Sequence, residues 1–422
     1  MTRLVVGPFN RVEGDLELTL DITDGRVEAA RVATTLYRGF EQILIGRPAA
    51  DALSIVPRIC GICSLSQSMA AAAALRGLTG VRPPRNGELA ANIAHAAENI
   101  ADHMTHFYLF FMPDFARDFY AGASWFAQVA TRFKAVSGTA MQEALPARAR
   151  LLHVMGLIAG KWPHSLAIQP GGVTRALDLG EKMRLIAVLA EFRTFAERVL
   201  FAAPLERIAA ITTPDDLAEF AQGAGDFAAF LRIAADLQLA ALGRLALPLI
   251  SFGAYAEGDA HLFARGQFDS VNGAGSPLRT ESIAEHVAYS FLRHSSLDPV
   301  QAITAPDIDK LDAYSWAKAP RLNGRPAETG AVARQAVHGD ALVRALLAQS
   351  GGTNVLIRIV ARMVEIARLT LAAEGWAREL KLSEAFCETP LALVDGRSAG
   401  MTEAARGALG QWVSVEKGVI LR

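Results

Sequence analysis

Cysteine is scarce in this chain, with three residues among 422. So few cysteines, and an odd number of them, argue against a disulfide framework and favour a reducing compartment, so we expect a cytoplasmic protein. An iron–sulfur cluster normally takes four cysteine ligands. If the chain takes part in electron transfer, the clusters must therefore lie in a partner.

An excess of one charge and a long uninterrupted apolar run are also missing. Lysine and arginine number 42 against 43 aspartate and glutamate, a formal net charge of −1, which gives no support for nucleic acid or an anionic membrane as partner. The most apolar stretch, 237–256, contains Arg244 and Pro248 and indicates protein core, with no membrane span. The first residues lack the apolar segment of a secretory signal.

Hydrophobic residues make up 51% of the chain, enough for a large core. Period-two alternation over Leu16–Ile22, a turn at Asp24-Gly25 and a second run over Val27–Val32 predict a β-hairpin. From residue 49 the apolar spacing changes to three and four, which is typical of helices. The predicted helices cover Ser68–Leu78, Glu88–Met112 and about 179–202, 214–243, 336–348 and 354–374.

A second hairpin is predicted near the end, where Trp412–Val415 and Val419–Leu421 flank a turn. We therefore expect an α+β fold that is predominantly helical, a large helical bundle core with small N-terminal and C-terminal β-hairpins. The prediction is a single domain, 1–422, made of a β-hairpin region (1–48), a helical core (49–400) and an incomplete C-terminal β region (401–422).

Two of the three cysteines form one motif, Cys60-Gly61-Ile62-Cys63. A redox dithiol would require a strand before it and a helix after it in a thioredoxin-like unit, and a zinc site would require two more nearby ligands. Half of a nickel or iron thiolate site would require distant ligands, and an incidental pair of core cysteines is also open. Cys387 stands alone and fits a small buried residue.

Other candidate ligands are ambiguous on sequence alone. His103 and His106 share a face of the long predicted helix, where histidines are more often hydrogen-bonded core residues than ligands. His164 lies in a predicted loop, where a functional role is more credible. Glu13 and Glu41 are isolated carboxylates; Glu41 could be a ligand for a hard cation.

Several segments, taken in order, resemble the large subunit of nickel–iron hydrogenases, and together they extend over essentially the whole chain. They are Arg11–Gly14, Tyr37–Glu41, Arg58–Cys63, Asp102–Tyr108, Gly160–His164 with Pro170–Val173, Tyr314–Arg321, Asn354-Val355 with Arg358 and Arg362, and Glu403–Leu409. Each motif is weak by itself, and the ordered set is specific.

The resemblance implies a nickel–iron centre with carbon monoxide and cyanide on iron, and H2 as ligand. Cys60 would be a terminal nickel thiolate and Cys63 a thiolate bridging both metals. Glu41 would ligate magnesium, and Glu13 would be the proton gate. An iron–sulfur small subunit is the implied partner.

The resemblance also places Arg406 over the metals, near the cyanide ligands, with Asp114 as its carboxylate partner. Ala405 replaces the proline common before that arginine, and Gln411 stands where many relatives have histidine. The family's second motif, Asp-Pro-Cys-x-x-Cys-x-x-His, is missing from the 422 residues. We therefore expect this form not to hold nickel tightly or to turn over hydrogen.

Within the family, Gln67 favours the hydrogen-sensing, regulatory branch, because energy-converting members carry histidine there. Ile62 and Phe110 are bulkier than the Val and Leu of those members, which would narrow a gas route, although ordinary core packing explains them too. In sensing branches a histidine kinase receives the signal. One alternative is an uptake hydrogenase. The other is a non-catalytic relative like the quinone-site subunit of complex I, and the presence of both cysteines argues against it, because that subunit has lost the metal cysteines.

Overall fold

The computed structural model describes residues 2–9, 15–389 and 392–422. It confirms a helix-rich α+β fold with small antiparallel sheets. Its α-helices are α1 (Phe40–Leu44), α2 (Ala52–Ile55), α3 (Ser64–Thr79), α4 (Arg85–Thr105), α5 (Phe126–Phe133), α6 (Thr139–Leu151), α7 (His153–Ile158), α8 (Leu179–Phe195), α9 (Leu205–Ala209), α10 (Pro214–Phe220), α11 (Asp226–Asp236), α12 (Ala331–His338), α13 (Ala341–Ser350) and α14 (Val355–Glu379).

The strands form five small sheets in the described ranges, and each sheet pairs its strands in an antiparallel manner. The strands are β1 (Thr2–Phe9), β2 (Leu16–Thr23) and β3 (Arg26–Thr34); β4 (Ile168–Gln169) and β5 (Gly172–Val173); β6 (Pro248–Glu257), β7 (Ala260–Asp269) and β8 (Gly275–Ser276); β9 (Ile283–His286) and β10 (Ala319–Leu322); β11 (Gly396–Ala404), β12 (Gly407–Glu416) and β13 (Val419–Ile420).

Helices α4 and α14 pack together at the centre of the core. Helix α4 is buried around most of its circumference, as expected of a helix surrounded by other elements. Helix α14 begins at Asn354, whose side chain accepts the Ile357 N–H at 3.0 Å; this cap satisfies a backbone donor that the helix itself cannot. A π-helical turn, His106–Phe111, and a 3-10 turn, Met112–Ala116, extend α4.

Two helix predictions are wrong in extent. The stretch 214–243 contains α10 and α11 instead of one helix, because the chain turns at Gly223–Gly225, where Gly225 has a φ of 95°. The stretch 336–348 is divided between α12 and α13 at Gly339, which has a φ of 101°. Positive φ is costly for residues with a Cβ and ends a right-handed helix.

The β structure is larger than the sequence indicated. β1 adds a third strand to the predicted N-terminal hairpin. At the other end, β12 pairs with β13 as predicted and also with β11 along its whole length, so this sheet begins at Gly396. The hairpin of β6 and β7 lies inside the segment 49–400, which was predicted to be a helical core, and β6 is buried along most of its length.

No helix in the described part of the chain combines the length and the hydropathy that a membrane crossing requires.

Candidate functional site

The two neighbouring cysteines lie in the loop before α3. Cys63 is the residue that precedes the helix, and its backbone N–H points at Cys60 Sγ at 3.4 Å. Both cysteines are half-buried and neither forms a disulfide. The loop therefore holds two reduced sulfur atoms side by side at the start of a helix.

Arg406 covers this pair. It lies in the two-residue turn that joins β11 to β12, and its Nη2 is 3.4 Å from the sulfur atoms of both Cys60 and Cys63. Its Nε lies 3.7 Å from Asp102 on α4. The predicted neighbourhood of Arg406 and the cysteines is thus present, with Asp102 as a carboxylate beside the arginine. Asp114 lies in Met112–Ala116, and its pairing with Arg406 stays a prediction.

The local hydrogen bonds make the two thiols unequal. A hydrogen bond that the Cys63 thiol donates to Cys60 Sγ lowers the pKa of Cys60 to about 5, and the Cys63 N–H and the Arg406 guanidinium act in the same direction. The same bond and burial raise the pKa of Cys63. Cys60 is therefore the sulfur that ionises first, and Arg406 provides a permanent positive charge beside it.

Glu98 fixes the helix that follows the cysteines. Its Oε2 accepts the Leu65 N–H at 2.7 Å and the Trp162 indole N–H at 2.8 Å, and its Oε1 accepts the N–H and hydroxyl of Ser66, both at 2.8 Å. The carboxylate occupies the N-terminus of α3, where backbone N–H groups have no helical partner. Burial raises the pKa of Glu98 to about 7. Sequence reasoning missed this residue, because it lies 33 positions from Leu65.

His103 belongs to a buried polar network instead of a ligand cluster. Its Nε2 lies 3.1 Å from Glu365, and its Nδ1 lies 3.4 Å from the Arg362 guanidinium. Burial lowers the pKa of His103 and of His106. A neutral His103 with its proton on Nε2 satisfies both contacts, since Arg362 can only donate. His164 also has a structural partner, the Pro57 carbonyl, at 3.1 Å from Nδ1.

Glu41, the predicted magnesium ligand, lies 3.5 Å from the Lys318 ammonium, which also pairs with Glu285 at 2.8 Å. These residues line a cavity of about 670 Å³ that Gln67 and Gln411 also line. Magnesium binding at Glu41 stays a prediction.

The residues used to choose a branch occupy separate positions. Gln67 is buried on α3, and its Oε1 accepts a hydrogen bond from Gln411 Nε2 at 2.7 Å. Ile62 and Phe110 are half-buried, and their predicted effect on a gas route stays a prediction. Glu13 lies outside the described residues.

The donor set fits two positions of a thiolate metal site. Two adjacent sulfur atoms suit a soft metal ion. In residues 2–9, 15–389 and 392–422, no group of three or more His, Cys, Asp and Glu side chains is arranged to hold a metal ion. The described residues thus contribute two thiolates and a guanidinium, and not a closed coordination sphere.

The known proteins that this chain resembles are hydrogenases. The family model for nickel-dependent hydrogenase matches residues 38–124 and 115–422. The periplasmic [NiFeSe] hydrogenase large subunit of Desulfomicrobium baculatum is 26% identical, over 98% of this chain and 82% of that protein. The hydrogenase-1 large chain of Escherichia coli K12 is 27% identical, over 99% and 85% respectively.

Among solved structures, the reduced Ni-Fe-Se hydrogenase from D. vulgaris Hildenborough superposes with a TM-score of 0.82 at 27% identity. The match covers all of this chain and 88% of that one.

Proposed function

The chain belongs to the nickel-dependent hydrogenase family, and on that premise we propose that it is a large subunit whose Cys60 and Cys63 bind the nickel–iron centre. The observation that carries this proposal is the position of Arg406, 3.4 Å from both sulfur atoms. A cation placed over two thiols favours their ionised, metal-binding form.

The bound centre, with carbon monoxide and cyanide on iron, would supply heterolytic cleavage of H2. The chain's own groups would hold and surround it. Cys60 and Cys63 would provide soft donors, with Cys63 held by the start of α3. Arg406 stays charged at every working pH and offers fixed N–H donors without exchanging a proton itself. Glu13 is proposed as the proton gate and Asp114 as a further partner of Arg406.

A small subunit with iron–sulfur clusters is the proposed partner, because three cysteines cannot serve an electron-transfer chain. Apolar side chains on the N-terminal sheet support a protein contact there. Leu4, Val27 and Val32 are 45%, 55% and 53% exposed and lie on one face of that sheet, because each pairs with a residue of β2 from the same alternating set. An exposed apolar cluster on a sheet face indicates an interface. Proposed magnesium binding at Glu41 belongs to the same assembly.

The test is nickel binding to the purified chain under anaerobic conditions, measured by the thiolate-to-nickel charge-transfer absorption band. We expect weak, reversible binding that Cys60→Ser or Cys63→Ser abolishes and that the matched Cys387→Ser variant retains. Equal absorption in the Cys60→Ser variant would contradict the proposal. Nickel and iron retained stoichiometrically through purification would contradict the narrower expectation that this form holds metal loosely.

For the biological role we propose hydrogen sensing, with a histidine kinase as the signalling partner. Gln67 supports this proposal, because it stands where energy-converting members of the family carry histidine. An uptake hydrogenase is the alternative. The compartment is likewise a proposal: scarcity of cysteine favours the cytoplasm, whereas the D. baculatum relative is named periplasmic.

The gas-route part of the sensing proposal is tested on the purified chain by measuring how fast dissolved oxygen oxidises the Cys60 and Cys63 thiols, with Cys387 as reference. If Ile62 and Phe110 narrow the gas route, Ile62→Val with Phe110→Leu should make these two thiols more sensitive to oxygen. Unchanged oxygen sensitivity would leave only core packing for these two residues and remove this support for a sensor.

A further inference from the structure

Arg334 on α12 is a fully buried arginine whose hydrogen-bonding capacity is completely used. Its Nε donates to Glu365 Oε2 at 3.1 Å, and its Nη2 donates to Glu365 Oε1 at 2.7 Å. Its Nη1 donates to Glu403 Oε2 at 2.9 Å. The two remaining N–H groups reach backbone carbonyls, so all five donors of the guanidinium have partners.

Those two carbonyls belong to the turn that carries Arg406. Arg334 Nη1 lies 2.8 Å from the Ala404 oxygen, and Nη2 lies 3.1 Å from the Ala405 oxygen. Glu403, the preceding residue, is also fixed, since its Oε1 accepts the Phe252 N–H of β6 at 2.7 Å. The end of β11 is therefore held by one planar group that contacts consecutive residues of the turn.

The opposite side of Arg334 is fixed as well. Glu365 on α14 accepts two of its N–H groups and the His103 Nε2–H at 3.1 Å. Burial would raise the pKa of Glu365, but Arg334 and His103 overcome it and lower that pKa to about 2. The cluster thus connects α4, α14 and α12 to the hairpin through fully enclosed groups, a neutral His103 and the charged Arg334 and Glu365 among them.

We propose that Arg334 is a positioning residue for Arg406, acting through the Ala404 and Ala405 carbonyls to hold the Arg406 guanidinium over Cys60 and Cys63. This inference rests on the proposed role of Arg406 at the thiol pair. Arg334 itself contacts neither sulfur in the described structure, so its effect must pass through the turn.

The chemistry of the cluster supports positioning over simple stabilisation. A buried ion pair is often no more stable than an apolar replacement of similar volume, because desolvation offsets the Coulomb attraction. A planar fork of five donors does fix geometry, since it satisfies carboxylates and carbonyls in one orientation. Lysine has the same charge but three donors around a single nitrogen, and cannot make these contacts together.

The test uses the full chain and measures alkylation of the Cys60–Cys63 peptide by iodoacetamide at pH 5, close to the pKa of Cys60, with Cys387 as reference in the same molecule. Arg406→Ala should slow this relative rate about fivefold, because the thiolate is the reacting form and loses its neighbouring cation. Arg334→Lys should slow it to a similar extent. The double variant should be no slower than Arg406→Ala alone.

Arg344→Lys is the matched control, since Arg344 also donates to a backbone carbonyl of α12, that of Ala336 at 2.8 Å. Its relative alkylation rate should equal that of the unchanged chain. Thermal unfolding of each variant identifies those that fold. If Arg334→Lys does not fold, Glu403→Gln replaces it and should slow alkylation less, in the same direction.

An unchanged rate in a folded Arg334→Lys variant would overturn the proposal, and so would independent, multiplicative effects in the double variant. These outcomes are separate from the nickel test. Loss of the cysteine dependence of nickel binding would refute the proposed function, whatever the alkylation rates show.

Discussion

Replacement of Glu98 gives a direct measure of how strongly the start of α3 is held. Four donors converge on this buried carboxylate: two backbone N–H groups, a hydroxyl and an indole N–H. Glu98→Ala leaves all of them without a protein partner. Each orphaned buried donor costs about 1 kcal/mol or more, so the free energy of unfolding should fall by at least about 4 kcal/mol.

Glu98→Gln should cost much less, because the two carboxylate oxygens differ in what they accept. An amide NH2 at the Oε2 position would face two N–H groups that cannot turn away, those of Leu65 and Trp162. At the Oε1 position it would face the Ser66 N–H and the Ser66 hydroxyl, and the hydroxyl can rotate to accept. We expect the second orientation and a loss of about 1–3 kcal/mol, from one orphaned N–H.

Urea unfolding, followed by circular dichroism, measures both values. Glu219→Ala is the control: this carboxylate is exposed, 3.5 Å from Arg207, and such surface pairs contribute at most about 1 kcal/mol. If Glu98→Ala is as stable as Glu98→Gln within experimental error, water has replaced the carboxylate as acceptor. The premise that Glu98 alone caps a water-free N-terminus of α3 would then be wrong.

Three further predictions concern stability elsewhere. Burial lowers the pKa of His95 from 6.5 to about 4, so the folded state takes up this proton less readily than the unfolded state. The contribution of a neutral His95 to the free energy of unfolding should be fully present above pH 6.5 and fall by up to about 3 kcal/mol towards pH 4. His95→Gln should remove this pH dependence from urea midpoints measured across the range. Gly400→Ala should lower the free energy of unfolding by about 3 kcal/mol or more in thermal and urea unfolding, because a Cβ would overlap the Ala70 carbonyl. Gly375→Ala, on the open face of α14, is the control and should raise the free energy of unfolding by about 0.5–1 kcal/mol. Asn354→Ala should lower the free energy of unfolding by about 1 kcal/mol through loss of the α14 cap, and an unchanged urea midpoint would show that the cap is solvated instead.

Local signals in the sequence predicted local structure well. Alternation over Leu16–Ile22 and the Asp24-Gly25 turn correspond to β2 and β3, and the long apolar pattern from Glu88 corresponds to α4 with its extension. Apolar periodicity did not reveal the break at Gly225, since apolar residues continue at helical spacing on both sides of it. The backbone changes direction there because of one positive φ, which a hydrophobic pattern does not record.

Sequence alone predicted the parts of the site that are close together along the chain, and not those that are far apart. Cys60 and Cys63 are adjacent in sequence and form one loop, while the placement of Arg406 beside them came from family resemblance. The ionic partners that support them were missed: Glu403 is 69 residues from Arg334, and the Asp102 carboxylate belongs to a helix 304 residues before the β11–β12 turn. Burial and pairing of such charges follow from how helices and hairpins meet, which no single segment encodes.

The position of Arg406 is set by its backbone more than by its own ion pair. Its side chain is 41% exposed, and its Nε lies 3.7 Å from Asp102, which is too far for a hydrogen bond to fix the side chain. The turn, by contrast, is closely packed. Gly407 has a φ of 144°, and a Cβ there would overlap the Thr329 side chain, so the hairpin lies directly against the residues that precede α12. From that position the turn carbonyls reach Arg334, and the Arg406 side chain extends from a fixed backbone to place Nη2 3.4 Å from both sulfur atoms.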